Sequence, residues 1–133
     1  MTIDEFVKVV KLRTSDAAVN GTLKSMEHPA GRSPSEKKLK LSRWYNQLTE
    51  SDRIMLRAAL REAAKSAVFG FFCILDGVRV IEEPPEKGDL ELYYVKGQER
   101  KLLNNPNGGE LHDLFNGLCE EEAAVEFGKT PGS

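Results

Sequence analysis

Four residues in the second half of the chain carry side chains that could form a reactive or ligand-binding pocket. They are Asp76, Arg79, Tyr93 and His112. Residues 76–79 join a predicted helix to a predicted sheet, and loops held by rigid elements often carry functional residues. An enzymatic or small-ligand site would require all four side chains to converge on one cleft. The simpler interpretation of residues 76–79 is a helix cap followed by the first arginine of a strand.

His112 is followed by Asp113, which suggests a general base beside an orienting carboxylate. Adjacent residues of a helix point about 100° apart, so we expect that these two side chains do not face each other. The chain has 2 histidines and 2 cysteines, and none of them stands at the spacing of a metal site. The sequence therefore predicts no metal, no cofactor and no catalytic residue, and an enzyme is the less favoured interpretation.

Acidic residues dominate the second half of the chain. Residues 67–133 contain 13 Asp and Glu against 6 Lys and Arg, whereas residues 1–66 contain 8 against 13. Two groups of glutamates are candidates for partner binding: Glu120, Glu121, Glu122 and Glu126 near the C-terminus, and Glu82, Glu83 and Glu86 in a predicted turn. Clustered acids steer association with a basic protein. The alternative is a terminus that only increases solubility.

Basic residues recur on two predicted helices of the first half. They are Lys37, Lys38, Lys40 and Arg43 on one helix, and Arg53, Arg57, Arg61 and Lys65 on the next. Such a row could bind the phosphates of a nucleic acid. The net charge of −2 and the pI near 5.8 favour a solvated helix face instead, so nucleic acid is the less favoured partner.

Hydrophobic periodicity predicts a series of N-terminal helices. Thr2 and Glu5 have the spacing of a capping box at the start of the first helix. Ser15 is the predicted cap of a second helix, which buries Val19, Leu23 and Met26. Ser33 is the predicted cap of a third helix, with Pro34 in the first helical position, and its buried stripe is Leu41, Trp44, Tyr45 and Leu48.

A long central helix is predicted from Glu50 to Leu75, with Thr49 as its cap and Asp76-Gly77 as its end. Residues 69–75 are almost entirely apolar, so we expect this part of the helix to be buried on every side. Gly70 would allow a neighbouring element to approach closely. A last helix carries Leu111, Leu114, Phe115 and Leu118.

The apolar period changes from helical spacing to alternation after Gly77. Residues 78–83, 89–95 and 100–104 are predicted strands, separated by short turns. Short connections join antiparallel neighbours, so the expected fold class is α+β: N-terminal helices, one long central helix, a three-stranded antiparallel meander and a C-terminal helix.

Length and composition favour a single α+β domain over residues 1–127 and a flexible tail over 128–133. Of the 133 residues, 40% are hydrophobic and 30% are charged, as in folded globular proteins. The N-terminal stretch lacks a signal-peptide pattern, and the longest apolar run, residues 67–75, is about half the length of a membrane span. Two cysteines suit a reducing compartment. These features predict a cytoplasmic protein without a membrane partner.

The favoured function is a non-catalytic, cytoplasmic protein-binding domain, such as a bacterial inhibitor or immunity-type protein that occludes a basic partner. Its acids would set the association rate, and an apolar centre at Tyr93, Tyr94 or Phe127 would set the residence time. The rival is the enzymatic or small-ligand pocket, and the third hypothesis is nucleic-acid binding. All three are compatible with a homo-oligomer.

Overall fold

The chain has a mixed helical and sheet architecture in the computed structural model, which describes residues 1–105, 107 and 109–126, with Glu126 described by its backbone alone. The elements are α1 (Ile3–Lys11), a π-helical turn (Leu12–Asp16), α2 (Ala17–Glu27), α3 (Glu36–Asn46), α4 (Glu50–Leu75), β1 (Tyr93–Lys96), β2 (Glu99–Leu102) and α5 (Leu111–Glu126). This confirms the α+β class. The tail at 128–133 and Phe127 lie outside the described residues.

The chain divides into two compact units. Unit 1 contains Met1–Lys11 and the chain from Ser66 onward, and unit 2 contains Leu12–Lys65. The α4 helix begins in unit 2 and ends in unit 1. None of the helices in the described part of the chain combines the length and apolarity needed to cross a membrane.

The start of α1 has the predicted capping box. The Thr2 amide donates to Glu5 Oε2 at 2.7 Å, and the Glu5 amide donates to Thr2 Oγ1 at 3.1 Å. The hydrogen bond from the Thr2 backbone holds the pKa of the Glu5 carboxyl below its usual range. The predicted second cap is wrong, because Ser15 lies buried inside the π-helical turn. The backbone stays helical up to α2, since Asp16 has φ at −66° and ψ at −45° and makes no side-chain cap.

Unit 2 is built around a core of α2 and α3 residues, against which one face of α4 packs. The buried members are Val19, Leu23, Met26 and Tyr45, and the partly buried ones are Leu48, Leu56, Leu60 and Ala64.

The cap of α3 is Ser35, whose hydroxyl accepts from the Lys38 amide at 3.3 Å, so the prediction of Ser33 is wrong. Trp44 and Leu41 are 49% and 43% exposed, which corrects their placement in the buried stripe.

The bounds predicted for α4 are confirmed. Thr49 Oγ1 accepts from the Asp52 amide at 3.2 Å, and Gly77 closes the other end with φ at +74°, a conformation that glycine adopts without strain. Burial on every side is wrong for the last turns. Phe72 and Cys73 are buried, but Phe71 is 59% exposed. The core residues of α1 and α5 cover only the side of the helix that carries Phe72.

Unit 1 has its own core where α1, α4 and α5 meet. Its fully buried residues are Val7, Phe72, Leu111 and Phe115. The ring of Phe72 contacts the rings of Phe115 and Phe6 at centroid distances of 5.5 and 6.3 Å. These contacts fix the positions of α1 and α5, which carry the groove described below.

The sheet has two strands, so the predicted three-stranded meander is wrong. Strands β1 and β2 pair antiparallel, with Tyr93 opposite Leu102 and Lys96 opposite Glu99. Residues 78–83 lie outside the sheet. The amides of Val78 and Arg79 both donate to the Cys73 carbonyl, so the chain continues the terminal turn of α4 instead of extending into a strand.

Asn104 ties the segment before β1 to the end of α4. Its Nδ2 donates to the carbonyls of Leu75 and Leu90, both at 2.7 Å, and its Oδ1 accepts from the Leu92 amide at 2.8 Å. The side chain therefore joins the backbone at residue 75 to the backbone at residues 90 and 92.

Candidate functional site

An acidic groove runs between α1 and α5 in unit 1. Its volume is about 300 Å³. The apolar lining consists of Val7, Leu114, Gly117 and Leu118, and the charged lining consists of Asp4, Lys8, Asp113 and Glu121. Three carboxylates and one ammonium group therefore surround an apolar floor.

The sequence of α5 explains the floor of the groove. Gly117 lies between Leu114 and Leu118 on the side of the helix that faces α1, and it has no side chain to fill the space. A Cβ atom placed on Gly117 would meet no atom within 4 Å. The glycine thus keeps the groove deeper than any other residue would.

An ion pair holds the two walls of the groove together. Lys11 Nζ lies 2.6 Å from Glu122 Oε2, and the Lys11 side chain is only 12% exposed. The pair joins the last turn of α1 to α5. Partial burial of the lysine strengthens the attraction relative to a fully solvated pair.

The predicted acidic patch at the C-terminus is divided among different roles. Glu121 lines the groove, whereas Glu122 is committed to Lys11. Glu120 Oε1 accepts from Asn116 Nδ2 at 3.0 Å, and the side chain of Glu126 lies outside the described residues. In the other predicted group, Glu82 accepts a hydrogen bond from the Gly88 amide at 2.8 Å.

Asp76 and His112 are brought together, although 36 positions separate them in the chain. His112 Nδ1 lies 2.7 Å from Asp76 Oδ2, and the same oxygen accepts from the His112 backbone amide at 2.9 Å. The Asp76 side chain is 4% exposed and that of His112 is 12% exposed. The edge of the Phe69 ring packs against the imidazole with centroids 5.8 Å apart.

The other ring nitrogen of His112 faces two carboxylates. His112 Nε2 lies 3.2 Å from Glu110 Oε2 and 3.4 Å from Asp113 Oδ1. The expectation that His112 and Asp113 point apart is wrong, because both side chains are long enough for their ends to meet. The contact of Glu110 with His112 is not among the expectations from the sequence, although three ligand-type residues stand within the four positions 110–113.

The remaining residues of the predicted pocket make different contacts. The Arg79 guanidinium lies against Gly70, where an added Cβ would overlap it. This close approach is what Gly70 permits. The Tyr93 hydroxyl donates to Glu91 Oε2 at 3.0 Å, and Arg100 covers the Tyr93 ring at 4.0 Å. Both Tyr93 and Tyr94 are half-buried in β1.

The thiol of Cys73 is a core group. Burial raises the pKa of the Cys73 thiol, and the positive charge of Arg79 opposes that shift. A raised pKa leaves little of the nucleophilic thiolate near neutral pH.

Two residues of the predicted basic rows are engaged within unit 2. Arg43 pairs with Glu36 at 3.1 Å. The Arg53 guanidinium lies 4.7 Å from the centre of the Tyr45 ring and donates to the Asn46 carbonyl at 3.3 Å.

Comparison with known proteins gives no relative from which a role could be transferred. No protein-family model, curated protein or solved structure matches this chain. The function has to be argued from the groove and the histidine cluster themselves.

Proposed function

We propose that the chain is a non-catalytic protein-binding domain whose acidic groove takes a basic segment of a partner protein. The observation that supports this proposal is the lining of the groove, in which three carboxylates and one ammonium group surround an apolar floor; they are Asp4, Asp113, Glu121 and Lys8. A lysine or arginine side chain has a matching structure, because its methylene stem is apolar and its end is cationic. Occlusion of a basic partner, as by an inhibitor or immunity protein, is the most concrete form of this function.

The charge of unit 1 supports the same partner chemistry. Residues 1–11 and 66–133 together contain 15 Asp and Glu against 8 Lys and Arg, a net charge of −7. A charged surface of one sign accelerates encounter with an oppositely charged protein, and the effect weakens as salt screens it. The apolar floor would then slow dissociation, because it removes the stem of the bound side chain from water.

Charge reversal within α5 tests the groove. We expect the tagged wild-type protein to capture a basic protein from its native cell extract, and Glu121→Lys to reduce that capture about tenfold, a change that corresponds to about 1.4 kcal/mol. The matched control is Glu120→Lys, which makes the same charge change on the same helix outside the groove lining. Quantitative mass spectrometry of the three captures gives the ratio. Equal loss with both variants, or no basic partner, would contradict the proposal.

A second pair of variants separates binding from stability. Gly117→Ala should stabilise α5, because alanine favours a helix over glycine by about 1 kcal/mol, and yet weaken capture, because the methyl group fills the floor. Gly21→Ala in α2 also meets no neighbouring atom, so it should stabilise the protein without changing capture. Thermal unfolding reports the first effect and capture reports the second. A Gly117→Ala variant that binds as well as Gly21→Ala would argue against the groove.

A further inference from the structure

The tautomer of His112 follows from its bond to Asp76. An ionised carboxylate only accepts hydrogen bonds, and Asp76 Oδ2 lies 2.7 Å from His112 Nδ1. Nδ1 therefore carries the proton in this contact. In the neutral ring the lone pair is then on Nε2, which is the atom that faces Glu110 and Asp113.

Three electron-rich atoms thus meet at the first turn of α5. The ligand atoms of Glu110, His112 and Asp113 all lie within 4.8 Å of one another. A positive species among the three groups would stabilise this arrangement. A proton on Nε2 is one such species, and a divalent metal ion is another.

The distances fit a metal ion. The two contacts of Nε2 are 3.2 and 3.4 Å long, at and beyond the upper limit of about 3.2 Å for an N–H···O hydrogen bond. In a tetrahedral zinc site with bonds of about 2.0–2.1 Å, neighbouring ligand atoms lie about 3.3–3.4 Å apart. Two of the three distances between ligand atoms therefore match edges of that tetrahedron, and the third, between the Glu110 and Asp113 oxygens, is within 4.8 Å.

The surroundings of His112 match those of a metal-binding imidazole. Such a histidine commonly donates its second ring N–H to a carboxylate, which fixes the ring and increases its basicity as a ligand. Asp76 supplies this carboxylate from a position that is 4% exposed. The side chains of Glu110 and Asp113 are 48% and 73% exposed, so an ion can reach the cluster from solvent.

We infer that Glu110, His112 and Asp113 form a zinc-class divalent metal site, with Asp76 as the positioning residue of the imidazole. Nitrogen and carboxylate oxygen are ligands that zinc accepts. Three protein ligands leave a fourth position of the tetrahedron for water or another donor. This inference rests on the geometry of His112 and stands whether or not the groove binds a protein, although Asp113 belongs to both.

Titration of the metal-free protein with zinc chloride tests the site. We expect calorimetry to show one zinc ion bound per chain, and cobalt chloride to give the visible absorption of a tetrahedral site. Glu110→Gln should weaken zinc binding at least tenfold, because it removes one of the three ligands. Glu120→Gln, which removes one carboxylate elsewhere on the same helix, should leave the affinity unchanged. Magnesium, which requires octahedral oxygen ligands, should not compete.

Asp76→Asn tests the positioning role. Loss of such an outer carboxylate typically costs about 10–100-fold in metal affinity, and we expect a loss in this range while the circular dichroism spectrum stays that of the wild type. Should Asp76→Asn unfold the chain, Glu110→Gln and Asp113→Asn still decide the question, because both change exposed side chains. The inference is overturned if the wild-type protein binds no zinc, or if these two variants bind it as tightly as Glu120→Gln does.

Discussion

At the scale of single residues, Asp76 does two things with one oxygen atom. It orients the imidazole of His112, and it accepts a hydrogen bond from the His112 backbone amide. That amide belongs to the first turn of α5, where the helix leaves its N–H groups without partners. A residue at the end of α4 therefore caps α5 and sets the position of the candidate metal ligand.

Asn104 is a second residue whose side chain bonds to several backbone groups. Asn104→Ala would leave the carbonyls of Leu75 and Leu90 and the amide of Leu92 without this partner. We expect the free energy of unfolding to fall by about 1–3 kcal/mol, measured by urea denaturation followed by circular dichroism. Asn105, which makes one exposed bond to the Asn107 amide, provides the control: Asn105→Ala should cost less than about 1 kcal/mol. Equal costs would contradict the bridging role of Asn104.

The sequence identified Asp76 and His112 as candidates but not their contact. Aspartate and histidine side chains are typical of functional sites, so both residues can be recognised as candidates without a structure. Their meeting depends on how α4 ends and on where α5 begins, which are tertiary features. Glu110 was missed because its relevance depends on the rotation of the His112 ring, and that rotation is set by Asp76.

At the scale of elements, the helices can be predicted from the sequence, whereas the sheet can be predicted only in part. The ends of α4 follow from local chemistry, because Thr49 caps one end and Gly77 closes the other. Strand formation instead depends on a partner elsewhere in the chain. Residues 78–83 have the alternation of a strand, but the bonds from Val78 and Arg79 to Cys73 hold the chain in a helix-terminal turn.

The N-terminus of α3 offers a test of local chemistry with an internal control. Ser35→Ala removes the acceptor of the Lys38 amide and should lower the free energy of unfolding by about 1 kcal/mol. Ser33→Ala changes the serine two positions earlier, which the sequence pattern predicts as the helix cap. We expect it to change the free energy of unfolding by less than about 0.5 kcal/mol. Urea denaturation of the two variants, followed by the fluorescence of Trp44, gives the comparison. A larger effect at Ser33 would mean that the helix begins earlier.

At the scale of the whole molecule, charge follows the division into units. Unit 1 has a net charge of −7, and unit 2 has 11 Lys and Arg against 6 Asp and Glu, a net charge of +5. The asymmetry between the halves was visible in the sequence, with its boundary near the middle of α4. The assignment of Met1–Lys11 to the acidic unit was not predictable, because it depends on the packing of Val7 against α4 and α5.

The positive charge of unit 2 leads to a prediction about nucleic acid. Arg43 and Arg53 are already engaged within the unit, and the chain as a whole is negative. We therefore expect the protein to pass through a heparin column at about 100 mM salt, where exposed charges are screened beyond about 10 Å. The double variant Lys37→Glu, Lys38→Glu should behave identically. The nucleic-acid hypothesis would regain support if the column retained the wild-type protein, if a rise in salt released it steeply, and if the double variant were not retained.

The exposed segment at 78–81 has a consequence for how the protein behaves at high concentration. Val78, Val80 and Ile81 are each more than 50% exposed, and a β-branched run of this kind is a template for intermolecular strand pairing. The residues that follow, Glu82, Glu83, Pro84 and Pro85, oppose such pairing, because like charges repel between copies and proline offers no backbone donor. These four residues thus act as gatekeepers against aggregation.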